Sequence, residues 1–299
     1  AVFVVPLVGG IVVAAAGVKL VQNVGERSNT TLDILSVVLL AAGITAFVYS
    51  VGEFSTNLIA GVVALFAAVV LLGLFAARQL KLEHPVLNVR PMASVRFWPA
   101  CLLVVVSMMT TFSMSVLLPL YFEGAYGMTA LVAGLLILPA IACNAVTSIV
   151  GGRVMDARGA WPLLPVGFAL IAVGQTAISM TAASMNIDVV VALTVVVYAG
   201  VGLVLSPSQT AGLETLPAAE HPHGTALLNT WNMIAASFGP SLFIGLLSSS
   251  AATAGAAGVA TDVAQAIGFA AAVRVAAVIA AVGFVASLVY ARRESHMSH

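Results

Sequence analysis

Residues 97–122 read FWPACLLVVVSMMTTFSMSVLLPLYF, without a single Asp, Glu, Lys or Arg. A helix rising 1.5 Å per residue crosses a hydrocarbon layer of about 30 Å in roughly 20 residues and satisfies its own backbone hydrogen bonds there. The whole chain is built this way: 61% of its 299 residues are hydrophobic and 7% are charged, too few charges to clothe a soluble domain. The apolar residues come in long blocks rather than the short alternating segments of an outer-membrane barrel, so the fold class is all-α and polytopic.

Working outward from that run, the hydropathy pattern predicts about nine transmembrane helices: Ala1–Val21, Ile34–Val51, Leu58–Ala77, Phe97–Phe122, Ala130–Val150, Trp161–Met180, Val189–Leu205, Ala226–Leu247 and Ile267–Tyr290. Alternating the connections between two faces puts Lys19, Arg27, Arg78, Lys81, Arg90, Arg96, Arg153, Arg158, Arg292 and Arg293 on one side, which the positive-inside rule makes cytoplasmic. Of the 11 basic residues only Arg274, at the start of the last predicted span, is left on the outer face. The C-terminus is then cytoplasmic. The sequon at Asn29 falls in a cytoplasmic loop, which argues against glycosylation there. Cys101 and Cys143 lie inside apolar runs as small hydrophobes, which suits neither a disulfide framework nor a metal site. Ala1–Val21 has no charged n-region or cleavage pattern and does not read as a signal peptide; the expectation is that the chain is the later part of a longer protein.

The charged exception in the second half is GGRVMDARGAWPLL, residues 151–164, expected to be a connection of about ten residues between the fifth and sixth spans. One reading is a basic anchor that sets topology, with Asp156 pairing Arg153 or Arg158. The other begins with spacing: Gly152, Arg153, Asp156, Arg158, Gly159 and Leu164 resemble the loop signature G-x-x-x-D-R-x-G-R-[RK]-x-x-L of the major facilitator superfamily. Ala157 stands where that signature has Arg, and Ala160 and Trp161 replace its basic pair. The segments RQLKLEHPVLNVRPM, YGMTALVAGLLILPA and HGTALLNTWNMIAASFGPSLFIGLL resemble, in order and spacing, the fourteen-helix drug:proton antiporter branch of that superfamily.

That resemblance implies a major facilitator type helical bundle in which 1–33 is the last helix of an N-terminal lobe with its linker, 34–96 two extra helices and a cytoplasmic loop, and 97–299 a six-helix C-terminal lobe. It further implies a proton-coupled exporter of drugs or other amphipathic small molecules working by alternating access in a bacterial plasma membrane. Its partners would be lipids, the small-molecule substrate, protons and the remaining N-terminal lobe, with no cofactor and no nucleic acid. Asp156 and Arg153 would then be gating residues, the carboxylate meeting a helix N-terminus or a basic partner. Two other readings stay open: an exporter of one defined metabolite or siderophore, and a non-transporting membrane subunit that needs a separate N-terminal lobe.

Polar side chains inside a bilayer are costly and should face neighbouring helices or a wet cavity. The fourth span carries Ser107, Thr110, Thr111, Ser113 and Ser115, the fifth Asn144, Thr147 and Ser148, the seventh Thr194 and Tyr198 with Ser206 and Gln209 at its end, and the eighth Asn229, Asn232, Ser237 and Ser241. The sixth has mainly Gln175 and Thr176. In the family resembled, the helices matching the fourth, fifth, seventh and eighth spans line the cavity and the other two lie outside. Asn229, Asn232, Ala236, Gly239 and Phe243 follow one helical face, and so do Ala140, Asn144, Ser148 and Gly152; either stripe suits a pocket or close packing through small residues. The candidate substrate residues are Met108, Thr111, Phe112, Ser115, Asn144, Tyr198, Asn229 and Asn232, with Met109, Met114 and Trp231 as adaptable apolar wall. Pro119, Pro139, Pro207 and Pro240 lie within or near span ends, with Gly239-Pro240 a candidate flex point.

No Asp, Glu or His is expected in the middle of a span; Glu214, Glu220, His221 and His223 are placed in a cytoplasmic loop. A proton-carrying carboxylate is therefore expected outside these residues. There is no P-loop for ATP and no H-E-x-x-H motif, and no enzymatic activity is expected.

Overall fold

The computed structural model describes residues 33–53, 57–82, 85–94, 97–160 and 163–295, with Gly10, Val13 and Gly17. The predicted first span, Ala1–Val21, otherwise lies outside the described residues. Eight helices among the described residues are long and apolar enough to cross a membrane. They are α1 Ile34–Glu53, α2 Leu58–Lys81, α3 Phe97–Tyr126, α4 Ala130–Arg158, α5 Leu163–Thr181, α6 Ile187–Glu214, α7 His221–Ala256 and α8 Thr261–Ser295.

All eight predicted spans in this region are present, but most run longer than their apolar stretches. α4 continues through Arg158, α6 through Glu214, and α7 starts at His221, so Ser206 and Gln209 lie within α6, and His221 and His223 belong to the first turn of α7 rather than to a loop. The reason is local: a helix backbone bonds to itself in water as well as in lipid, so it continues until a cap or breaker ends it. Asn57 and Thr129 accept the N–H groups of Ala60 and Val132 at 3.1 and 3.5 Å to start α2 and α4, and Asn186 caps α6 through Val189. Gly159 ends α4 with φ 74°, its N–H donating to Met155 at 2.8 Å. Pro119, Pro139, Pro207 and Pro240 are all inside helices.

α3 is the deeply buried centre of a six-helix lobe, flanked by α6, α7 and α8, while α4 packs on α6 and α5 bridges α6 and α8. The expectation that α5 is an outer helix is met only in part, since one face of α5 is buried from Leu163 to Ser179. Close approach needs a missing side chain: a β-carbon on Gly202 of α6 would meet the Asn144 carbonyl oxygen of α4 at 2.7 Å and collide with Thr147. At one end of the lobe Tyr121 stacks on Phe269 of α8 at 4.1 Å, meets Tyr126 edge-on at 5.4 Å, and donates its hydroxyl to the Ala182 carbonyl at 3.0 Å.

α1 and α2 form a hairpin held at the opposite end of the lobe. Phe75 of α2 and Leu87 join Phe97, Cys101, Leu216, Leu227 and Leu228 in one apolar cluster, with Met92 and Trp231 against it. Below that cluster the polar groups interlock. Arg78 makes two bonds to Asp33, at 2.7 and 3.1 Å. The Ser36 hydroxyl donates to Asp33, the Gln79 amide donates to Ser36, both at 2.6 Å, and Gln79 accepts the Leu87 N–H at 3.0 Å. The connection 85–94 is then tied to α7, with the Asn88 N–H donating to His223 Nδ1 at 3.4 Å and the Trp231 indole donating to Met92 Sδ at 3.4 Å.

Candidate functional site

The charged stretch is not a ten-residue loop. Gly151, Gly152, Arg153 and Asp156 are the last two turns of α4, and the connection to α5 shrinks to the few residues between Arg158 and Leu163. Arg153, Asp156 and Arg158 are all exposed, and none of them forms an ion pair among the described residues. The expected pairing of Asp156 with Arg153 or Arg158 is thus not made. The helix dipole gives the physical sense of this arrangement: the C-terminal turn of α4 favours Arg153 and Arg158 and offers Asp156 nothing.

The hydroxyls of α3 divide between two faces. Ser107, Thr110 and Ser113 are buried and donate back to carbonyls of their own helix, Ser107 to Leu103 at 2.6 Å and Thr110 to Val106 at 3.0 Å. Thr111 does the same to Ser107 at 2.7 Å, yet with Met108, Phe112 and the exposed Ser115 it lies on the less buried side. Phe112 rests against α7, its Cβ 3.6 Å from where a β-carbon on Gly239 would stand. That contact brings the α3 candidates beside α7.

On α7 the two asparagines part company. Asn232 sits in the buried stripe with Leu228, Ala235, Gly239 and Phe243, and its Oδ1 has no hydrogen-bond partner; Asn229 is exposed. Their single-face expectation fails because positions three apart lie about 60° from each other on a helix, enough to straddle the edge of a packed face. Asn144 is committed to packing: its Nδ2 donates to the Tyr198 carbonyl at 3.1 Å across the α4–α6 seam that Gly202 allows. Tyr198 is half-buried and packs on the main apolar cluster. The structure therefore brings Met108, Thr111, Phe112 and Ser115 together on α3 and places Asn144 and Asn232 inside the lobe, whereas Asn229 is not brought to them: it precedes Gly239, the α7 residue that meets Phe112, by ten positions, about 15 Å along the helix.

The deep burial of two polar side chains emerged only in the structure. Gln175 is fully buried, donates to Ser113 at 3.2 Å and keeps an unpaired Oε1; Ser208 is fully buried with an unpaired hydroxyl. The Asp33–Arg78–Gln79 cluster was likewise unread, because residues 45 positions apart carry no local signal of contact. The Arg78 guanidinium and then the Ser36 hydroxyl hold the Asp33 carboxyl down to about 2, below its ordinary 3.8. The acidic residues on the described transmembrane helices lie near helix ends: Glu53, Glu123, Asp156, Asp188, Glu214, Asp262 and Glu294. Two surface grooves, of about 660 Å³ between α1 and α2 and about 550 Å³ beside Ser241, Ser248 and Ser249, include none of the candidate substrate residues.

A polytopic helical membrane protein built on a six-helix lobe, with polar side chains on one partly open face and a free acid–arginine group at a helix end, is the class these features define. The Major Facilitator Superfamily profile matches residues 30–240, more than half of the chain, and the protein belongs to that family. A Listeria monocytogenes protein named lincomycin resistance protein LmrB is 31% identical over 235 residues, covering 78% of this chain and 50% of that protein. An uncharacterized MFS-type transporter of Bacillus subtilis, YcnB, is 33% identical over 273 residues, 90% of this chain and 57% of its own length. A Clostridioides difficile riboflavin transporter, RibZ, is 22% identical over 244 residues, 81% of this chain and 53% of its own. The chain thus spans about half the length of the curated relatives it matches.

Proposed function

We propose that these residues are the accessory helix pair and the C-terminal lobe of a proton-coupled exporter of drugs or other amphipathic small molecules, working by alternating access in a bacterial plasma membrane. The observation that carries the reading is the partly open side of α3, where Met108, Thr111, Phe112 and Ser115 share the less buried face of a helix that is otherwise packed all round. Lipid does not reward exposed hydroxyls and amides; a second lobe enclosing a wet cavity does. Thr111, Ser115 and Asn229 would orient a substrate while Met108 and Phe112 adapt to its apolar parts. Asn144, Tyr198 and Asn232 would support that wall from behind, through the helix packing they already make.

The division of labour follows the packing. Residues 1–33 would end the N-terminal lobe, 34–96 the accessory pair and its connection, and 97–299 the six-helix lobe, with Arg90, Arg153 and the C-terminus facing the cytoplasm. The clamp of Asp33, Arg78, Gln79 and His223 supports the accessory pair moving with the six-helix lobe as one body. Asp156 would then latch the cytoplasmic side by meeting a group of the other lobe, and Gly152 and Gly159 would keep the α4 end slim enough for that approach. The proton would be carried by a carboxylate outside the described helices.

The relatives named for lincomycin resistance favour a drug; the riboflavin transporter, at 22% identity, favours a single metabolite as the second reading. The test is expression of the complete gene product in an efflux-deficient host. Raised lincomycin tolerance and dye efflux that an uncoupler abolishes are the expected results. Efflux that survives the uncoupler overturns proton coupling, and riboflavin movement without drug efflux selects the metabolite reading.

A further inference from the structure

Sorting the 11 basic residues by face left Arg274 as the exception, expected at the start of the last span. The structure moves it inward. α8 begins at Thr261, so Arg274 stands thirteen residues along the helix. Its depth is set by its neighbours on α8: Phe269 stacks on Tyr121, and a β-carbon on Gly283 would press on Phe168 and Val106. Arg274 falls between them, about 7.5 Å deeper than the Tyr121–Phe269 pair at 1.5 Å per residue.

It also faces outward. Arg274 is exposed, and Val278, Val282, Val285 and Val289 follow it on the same side of α8, each 50–61% exposed. α8 packs on α3, α5 and α7 through its other sides. The seams between helices elsewhere use glycine, as at Gly202, whereas this side presents valines, which suit lipid rather than a packed helix.

The charge is uncompensated by the protein. Among the described residues Arg274 has no ion-pair partner, and positions 270 and 271, one turn back, are alanines. Glu123, Asp188 and Asp262 cluster at this end of the lobe, while the described basic residues Arg78, Lys81, Arg90, Arg153 and Arg158 lie at the other. A bare guanidinium in hydrocarbon is costly, and its usual relief is to snorkel to the interface. The Cα–Cβ bond of a helical residue tilts toward the helix N-terminus, which for α8 is the nearer interface, marked by Tyr121 and Tyr126. Beneath it the valine stripe runs about 22 Å from 274 to 289, more than half of a ~30 Å hydrocarbon layer.

We infer that Arg274 is the headgroup contact of an anionic phospholipid site, the guanidinium holding the phosphate and the valine stripe holding an acyl chain. This site is separate from the transport cavity and does not depend on what is transported. The planar guanidinium matches a phosphate with two parallel hydrogen bonds.

The experiment compares the purified complete protein with R274Q and V278E, counting retained phosphatidylglycerol by native mass spectrometry and following thermal melts with phosphatidylglycerol, phosphatidylcholine or inorganic phosphate added. The wild type is expected to retain phosphatidylglycerol and to melt higher with it than with phosphatidylcholine. R274Q should retain at least threefold less and lose that gain. V278E, which puts a carboxylate one turn from Arg274 to compete for it, should show the same loss while melting normally in phosphatidylcholine. Wild-type retention in either variant overturns the site. An equal shift with inorganic phosphate overturns the lipid assignment.

Discussion

Asp33 with Arg78 and Asp156 with Arg153 and Arg158 are both acid–arginine groups beside a long apolar helix. The first closes on itself: two bonds join Asp33 to Arg78, and Ser36, Gln79 and Leu87 satisfy what remains. The second stays open, three exposed charges on one helix end with no ion pair among them in the described residues. Charge content cannot tell a clamp from a latch. What separates them is whether the hydrogen-bonding capacity is already spent inside the molecule, because only an unspent carboxylate has free energy left to give to a partner that comes and goes.

The sharpest break of that comparison is Gln79→Ala, which leaves the Leu87 N–H and Ser36 without their shared partner in a buried position. A loss of about 1–3 kcal/mol is expected, seen as a lower melting temperature in detergent and faster proteolysis between 82 and 96. An unchanged melt would mean that the clamp holds nothing. The next effect is Asp156→Asn, expected to cut transport by the complete protein about tenfold, equivalent to ~1.4 kcal/mol, with the melting temperature unmoved. Undiminished efflux would remove the latch, and a lowered melt would make it a second clamp.

The smallest effect is a pH dependence confined to the clamp. Asp33 titrates at about 2 when folded against an ordinary 3.8. A depressed carboxylate contributes its stability in full above the unfolded value and loses it as pH falls through the folded one. The difference in melting temperature between wild type and Asp33→Asn should therefore be flat from pH 5 to 8, shrink below about pH 4 and close near pH 2. A difference that varied between pH 5 and 8 would show that another titrating group shares the clamp.

The number and order of the described helices were legible in the chain because the bilayer imposes one length on any apolar run that crosses it, and 97–122 announces that length without a charge to interrupt it. Helix ends were not, since 151–158 is polar by composition and helical by backbone, and no lipid constraint applies where the chain has left the hydrocarbon. The face of a residue was legible only to within a helical step: Asn144 and Ser148 share a seam as their spacing says, but Asn229 and Asn232 fall on either side of a packing edge that neighbouring helices draw.

The sequence alone thus determined that this is a helical membrane protein with its basic residues gathered toward one end, because hydropathy and charge act on each segment separately. Only the tertiary structure decided that Asp33 is held while Asp156 makes no ion pair among the described residues, that Asn144 serves packing, and that Arg274 stands exposed thirteen residues along α8. Those outcomes depend on which residues far apart in the chain meet and which do not, and no segment carries the position of its partner.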